Sequence, residues 1–146
     1  MATIFPAYDW TREIISEDKN FDLMLLMDKG VDLHSFQPSA EDIRKISDCD
    51  VFIYVGGESD EWVGDALKNA TNKNMVVVNL MEILGDKVLQ ENHDGNIEND
   101  EHIWLSLKNA QVLCDAIINA LSEAAPAQAE SLKKKFRRLH GETCRS

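Results

Sequence analysis

The stretch Asp50-Val51-Phe52-Ile53-Tyr54-Val55-Gly56-Gly57 decides the fold. Its β-branched and aromatic residues suit a pleated strand, and the glycine pair stops that strand abruptly. Immediately before it, Ser39 stands three residues ahead of Asp42, a capping-box-like start for a helix over Ala40 to Ser47. Immediately after it, Glu61 to Ala70 reads as a short helix and Met75-Val76-Val77-Val78-Asn79-Leu80 as a buried strand. Farther upstream, Phe21-Asp22-Leu23-Met24-Leu25-Leu26-Met27 is a nearly continuous apolar run, as a strand buried on both faces would be. Ala2 to Phe5 reads as a further short strand, and Pro6 opens a helix that continues through Ile15.

Strands alternating with helices predict an α/β fold: a parallel four-stranded sheet flanked by helices. In such a sheet ligands gather at the loops after the strands' carboxyl ends. Asp28 to Pro38, Gly56 to Asp60 and the stretch after Leu80 are those loops. The last runs over 82–101 and is acidic, with Glu82, Asp86, Glu91, Asp94, Glu98, Asp100 and Glu101 around His93 and Gly95. A loop of that length is functional or mobile. Beyond it Leu107, Ala110, Leu113, Cys114, Ile117, Ile118 and Leu121 recur at helical spacing on one face. Pro126 can open a last helix, Ala127 to about Arg138, which carries the basic run Lys133-Lys134-Lys135.

Composition narrows the function. Of 146 residues, 44% are hydrophobic and 28% charged, ordinary values for a globular protein, and the net charge is −11. So acidic a surface repels phosphate backbones, which argues against nucleic acid as a partner, and it attracts cations. No apolar run is long enough to span a membrane. Met1-Ala2-Thr3 leads directly into the first strand, so a signal segment is absent; the chain reads as cytosolic or as a mature form without its leader. Cys49, Cys114 and Cys144 match neither a disulfide framework nor a metal knuckle. Cys49 and Cys114, among apolar neighbours, read as small buried hydrophobes.

Four histidines are present. His34 falls in the loop after the apolar run, and His102 falls just before the long amphipathic helix, both at the expected ligand edge of the sheet. Neutral imidazole is a common ligand for zinc, manganese and iron, which makes His34 and His102 the candidate metal ligands. Structural or surface roles remain open for each. His93, Glu58 or an acid of the 82–101 loop is a candidate accessory donor, and His140 lies in the tail. Glu58 and Glu61 could assist a metal-bound water, but neither HExxH nor GxSxG occurs, and no enzyme activity is expected. Gly56-Gly57-Glu58-Ser59 lacks the lysine and hydroxyl ending of a phosphate loop. Trp10, Trp62 and Trp104 read as core anchors.

Four blocks, in order, resemble the solute-binding proteins of zinc/manganese ABC importers, the family of metal-binding adhesin-like lipoproteins. They are Phe5-Pro6-Ala7-Tyr8-Asp9-Trp10-Thr11-Arg12-Glu13-Ile14; Gly30-Val31-Asp32-Leu33-His34-Ser35-Phe36-Gln37-Pro38; Asp50 to Gly57 with Glu61-Trp62; and Asp100-Glu101-His102-Ile103-Trp104-Leu105-Ser106-Leu107. The resemblance implies that His34 and His102 ligate Zn2+ or Mn2+ as transported cargo. It also implies an extracytoplasmic location, cell adhesion among the family's roles, and an ABC permease as partner of the intact protein. Such proteins have two lobes joined by a long helix, with two further ligands from the second lobe. This chain resembles the N-terminal lobe, residues 1–125, followed over 126–146 by the start of the linking helix. Back-translating the tail and shifting its frame by one base yields an amphipathic peptide, so a frameshifted, truncated tail is the expectation there. A homodimer through the face left uncovered is a further expectation. The rival readings are a stand-alone flavodoxin-like interaction or regulatory domain with structural histidines, a metal-dependent hydrolase fragment, and a non-functional remnant.

Overall fold

The computed structural model describes residues 1–28, 30–93 and 95–143; the side chains of His93 and of residues 138–143 lie outside the description. Helix α1 (Phe5–Ile15) begins one residue before Pro6, whose missing N–H costs nothing in a first turn. Helix α2 (Ala40–Asp48) opens on the expected capping box: Ser39 Oγ accepts from the Asp42 N–H, while the Asp42 carboxylate accepts from the Ser39 N–H at 2.8 Å. Strand β1 (Val51–Tyr54), helix α3 (Trp62–Lys68), strand β2 (Val76–Asn79) and the short helix α4 (Leu80–Leu84) follow. The Asn79 side chain caps α4 by accepting from the Glu82 N–H. Strands β3 (Gln90–His93) and β4 (Asn96–Asn99) form a hairpin. Helix α5 (Leu107–Ala124), capped by Ser106, and helix α6 (Ala129–Thr143) complete the chain.

The class is α/β as expected, but the sheet is smaller than a parallel four-stranded one. Among the described residues two separate two-stranded sheets form: β1 and β2 pair in parallel, Val51 with Val76 through Tyr54 with Asn79, and β3 and β4 pair antiparallel. The two other expected strands are reduced to single parallel bridges, Ala2 to Leu25 on one side and Ala2 to Ile53 on the other. The four parallel segments lie side by side, the apolar run beside the N-terminal residues, then β1 and β2, yet the N-terminal segment limits the ladder. Helix α1 already begins at Phe5, so only Met1 to Thr3 are left to exchange hydrogen bonds with Met24, Leu26, Met27 and Ile53. Asp22 and Met24 in the apolar run are exposed, so that run is not buried on both faces. Nor is β2 fully buried: it lies at the sheet edge, and Val77 is 43% exposed.

Strand β1 has apolar packing on both faces, and its period of two separates them. Val51, Ile53 and Val55 join the main core with Ile14, Leu80, Leu113, Ile117 and Leu121, under α1, α4 and α5. Phe52 instead meets Ile46 of α2 and Val63 of α3 in a smaller cluster, where its ring stacks on Tyr54 at 5.7 Å. Trp10, Trp62 and Trp104 pack against the main core. The acidic stretch 82–101 contains the last turn of α4, a 3-10 turn at Gly85–Lys87 and the hairpin. Helix α6 returns across α1 and α5, burying Leu132 completely and donating a hydrogen bond from Lys135 Nζ to the Ile15 carbonyl.

Candidate metal centre

Three chain segments meet at one end of β1. The first is a 3-10 turn, Leu33–Ser35, capped by the Asp32 side chain, which accepts from the His34 N–H at 2.8 Å. The second is the loop that leaves β1, with Gly56 and Gly57 at positive φ, followed by a 3-10 turn at Glu58–Asp60. The third is the segment between β4 and α5, where Asp100 Oδ1 accepts from the His102 N–H at 2.8 Å. Short polar side chains bonding to backbone two residues on are the usual way to fix such turns.

These turns bring His34 and His102 together, their ring centres 5.9 Å apart and their planes inclined by 57°. The two side chains are 56% and 49% exposed. They border a cleft of about 720 Å3 whose wall includes Glu58, Glu61, Glu91, Glu98 and Glu101. The cleft therefore joins imidazole nitrogens with a strongly negative rim, the chemistry of a cation site. His102 Nδ1 lies 2.8 Å from Asp100 Oδ1, and the ring leans on Trp104 with centres 5.4 Å apart. The His102 N–H, reinforced by the His102 ring, holds the Asp100 carboxyl below the usual carboxylate range. His34 Nδ1 lies 2.8 Å from Ser59 Oγ and 3.6 Å from Glu101 Oε2.

Glu101 and Asp60 are the buried carboxylates of this region. Glu101 accepts from the Ser59 N–H at 3.0 Å and from Ser59 Oγ at 2.5 Å. Asp60 Oδ2 accepts from the Val55 and Gly56 N–H groups, both at 3.0 Å, and so closes the end of β1. Burial pushes the Asp60 carboxyl above its ordinary range, against those two hydrogen bonds. Its other oxygen has no partner among the described residues.

The expected ligands His34 and His102 thus come together, and Glu58 borders the same cleft. The side chains of His93 and His140 lie outside the described residues. Among the described residues, no group of three or more His, Cys, Asp or Glu side chains is arranged to hold a metal ion. The arrangement is one of two imidazole donors.

The sequence profile of the ZnuA family, described as zinc-uptake complex component A, periplasmic, matches residues 1–143. This chain belongs to that family. The zinc-binding protein AdcA of Streptococcus pyogenes serotype M1 is 31% identical over 91% of this chain, and the match covers 29% of AdcA. The solved structure of Zn(II)-bound AdcA from Streptococcus pneumoniae superposes with a TM-score of 0.78 at 28% identity, over 97% of this chain and 29% of that one. The metal-dependent lipoprotein YcdH from Bacillus subtilis gives 0.78 at 27%, over 94% of this chain and 48% of YcdH. The Mn-bound periplasmic metal binding protein of Candidatus Liberibacter asiaticus, 23% identical with a TM-score of 0.77, shares the fold over 97% of this chain and 51% of its own. This ZnuA-family chain therefore spans less than a third of the curated AdcA relatives and about half of the shorter solved structures.

Sequence reasoning did not single out Ser59, Asp60 or Glu101 in this ZnuA-family lobe. Two signals were available for them. Gly56-Gly57 marks a backbone with no room for side chains, and Glu101 directly precedes a candidate ligand. The thiols are remote from this chemistry: Cys49 and Cys114 are half-buried and free, burial raises both, and Cys114 is pushed up to about 11. Cys144 lies outside the described residues.

Proposed function

We propose that this chain binds a divalent transition metal, zinc or manganese, through His34 and His102, as the N-terminal half of the solute-binding component of a metal importer. The observation that carries the reading is the pair of imidazole rings 5.9 Å apart at the mouth of an acidic cleft. Two imidazoles bound to one zinc at about 2.0–2.1 Å put their ring centres roughly 5–6 Å apart. Family membership and relatives named as zinc-binding support the same reading. Imidazole donors suit zinc well; carboxylates supplied from outside this chain would favour manganese.

Two protein donors leave a tetrahedral ion half-coordinated, so the chain alone binds weakly and a second lobe supplies the remaining ligands. Residues 1–125 form the lobe, with 82–101 as its acidic border, and 126–146 begin the connection onward. The protein acts outside the cytoplasm and passes the ion to an ABC permease. The family description as periplasmic and the relative named a zinc-binding lipoprotein in Streptococcus pneumoniae support that location. Its task is capture and release, with no bond made or broken in a substrate.

Calorimetric titration of the metal-free chain with zinc and with manganese, beside a His34→Ala/His102→Ala double variant, tests this reading. Zinc binding that disappears in the variant is the expected result. Equal heats from the two proteins would remove both histidines as ligands and favour a domain with structural histidines.

A further inference from the structure

Ser59 is hydrogen-bonded to both an imidazole and a carboxyl group, and with Glu101 ionised the directions of its two hydrogen bonds follow. A carboxylate only accepts, so the single Ser59 hydroxyl proton is given to Glu101, across 2.5 Å. Ser59 Oγ then has only lone pairs left for His34, and the contact at 2.8 Å requires His34 Nδ1 to carry the proton. A neutral imidazole protonated at Nδ1 has its free lone pair on Nε2.

We propose that Glu101, acting through Ser59, is a positioning residue that holds His34 in the Nδ1–H tautomer and so keeps Nε2 ready for a metal ion. This rests on the reading of His34 as a ligand. Metal-ligating histidines usually donate their second ring N–H to a carboxylate, a carbonyl or water, which fixes tautomer and ring orientation. His102 has that partner directly, in Asp100. His34 has it one hydroxyl removed: its Nδ1 stops 3.6 Å from Glu101 Oε2, and Ser59 Oγ, beside that approach, bonds to both groups.

The bracing is built into the fold. Glu101 is 8% exposed, receives both the N–H and the hydroxyl of Ser59, and packs against Gly57 so closely that a Cβ there would overlap its Oε1. Being the neighbour of His102 in the chain, Glu101 also joins the segment carrying one imidazole to the loop that orients the other.

Long-range 15N–1H imidazole spectra of the metal-free chain test this without a metal, since the two tautomers have distinct nitrogen shifts. His34 is expected as Nδ1–H in the wild type, as a mixture moved toward Nε2–H in Ser59→Ala, and restored in Ser59→Thr. Zinc titrations of the same variants are expected to show about a 10- to 100-fold loss of affinity for Ser59→Ala and recovery with threonine. An unchanged amide spectrum in Ser59→Ala separates this effect from unfolding. A wild-type His34 protonated at Nε2, or a Ser59→Ala variant with unaltered tautomer, overturns the proposal. Should the His34→Ala/His102→Ala variant keep its zinc, the ligand reading falls, while the imidazole spectra still decide whether Ser59 and Glu101 set the tautomer.

Discussion

Gly57 and Glu101 fit together only because the first has no side chain: a Cβ on Gly57 would lie 2.3 Å from Glu101 Oε1. The backbone there, at φ 80° and ψ −166°, is also in a region open essentially to glycine alone. Gly57→Ala therefore combines backbone strain with displacement of a buried carboxylate. We expect a loss of about 2–4 kcal/mol in urea denaturation, from strain and overpacking together. A loss below 0.5 kcal/mol would mean that Glu101 moves aside freely.

Asp60 predicts a pH dependence. Its folded-state carboxyl is raised by burial above the ordinary 3.8, so the folded protein takes up this proton before the unfolded one does. Its contribution to stability therefore increases as pH falls from neutral through the raised value, and levels off below 3.8. Denaturation of the wild type and Asp60→Asn between pH 7 and pH 4 should show their difference moving in favour of the wild type on acidification. A difference that is constant, or slopes the other way, would show that the two N–H groups on Asp60 outweigh its burial.

The amphipathic face of α5 is uneven. Leu113 is 0% exposed, whereas Leu107, on the same predicted stripe, is 86% exposed. Leu113→Ala should cost about 2–5 kcal/mol through lost transfer energy and a cavity. Leu107→Ala should fall within about 0.5 kcal/mol of the wild type. Matched urea curves check both, and similar losses would require Leu107 to be covered in solution.

The thiols should be slow. With Cys114 pushed up to about 11 and Cys49 raised by burial, little of either is thiolate at neutral pH. Alkylation by iodoacetamide followed by peptide mass spectrometry should label both sites far more slowly in the native protein than in urea. Equal rates in the two states would contradict the packing around them.

What was legible in the sequence is what local rules write. The Ser39–Asp42 capping box, the stop at Gly56-Gly57 and the helical stripe from Leu113 to Leu121 all depend on neighbours within a few residues. The sheet was over-read for the opposite reason. Phe21 to Met27 has a strand's composition, but a ladder needs a partner of equal length, and the segment before α1 supplies only Met1 to Thr3. Leu107 was misplaced on the core stripe because periodicity gives a face of a helix and not the depth of its first turn.

At the centre the division is clearest. The sequence determined by itself that His34 and His102 would stand in loops of an α/β lobe, because strand and helix signals place those loops. That the rings lie 5.9 Å apart, and which groups brace them, was decided by tertiary structure. Ser59 is 25 residues from His34 and 42 from Glu101, and no local pattern couples positions so far apart. Only packing around β1, with Gly57 leaving room for the buried Glu101 carboxylate, brings an imidazole, a hydroxyl and that carboxylate into one hydrogen-bonded cluster.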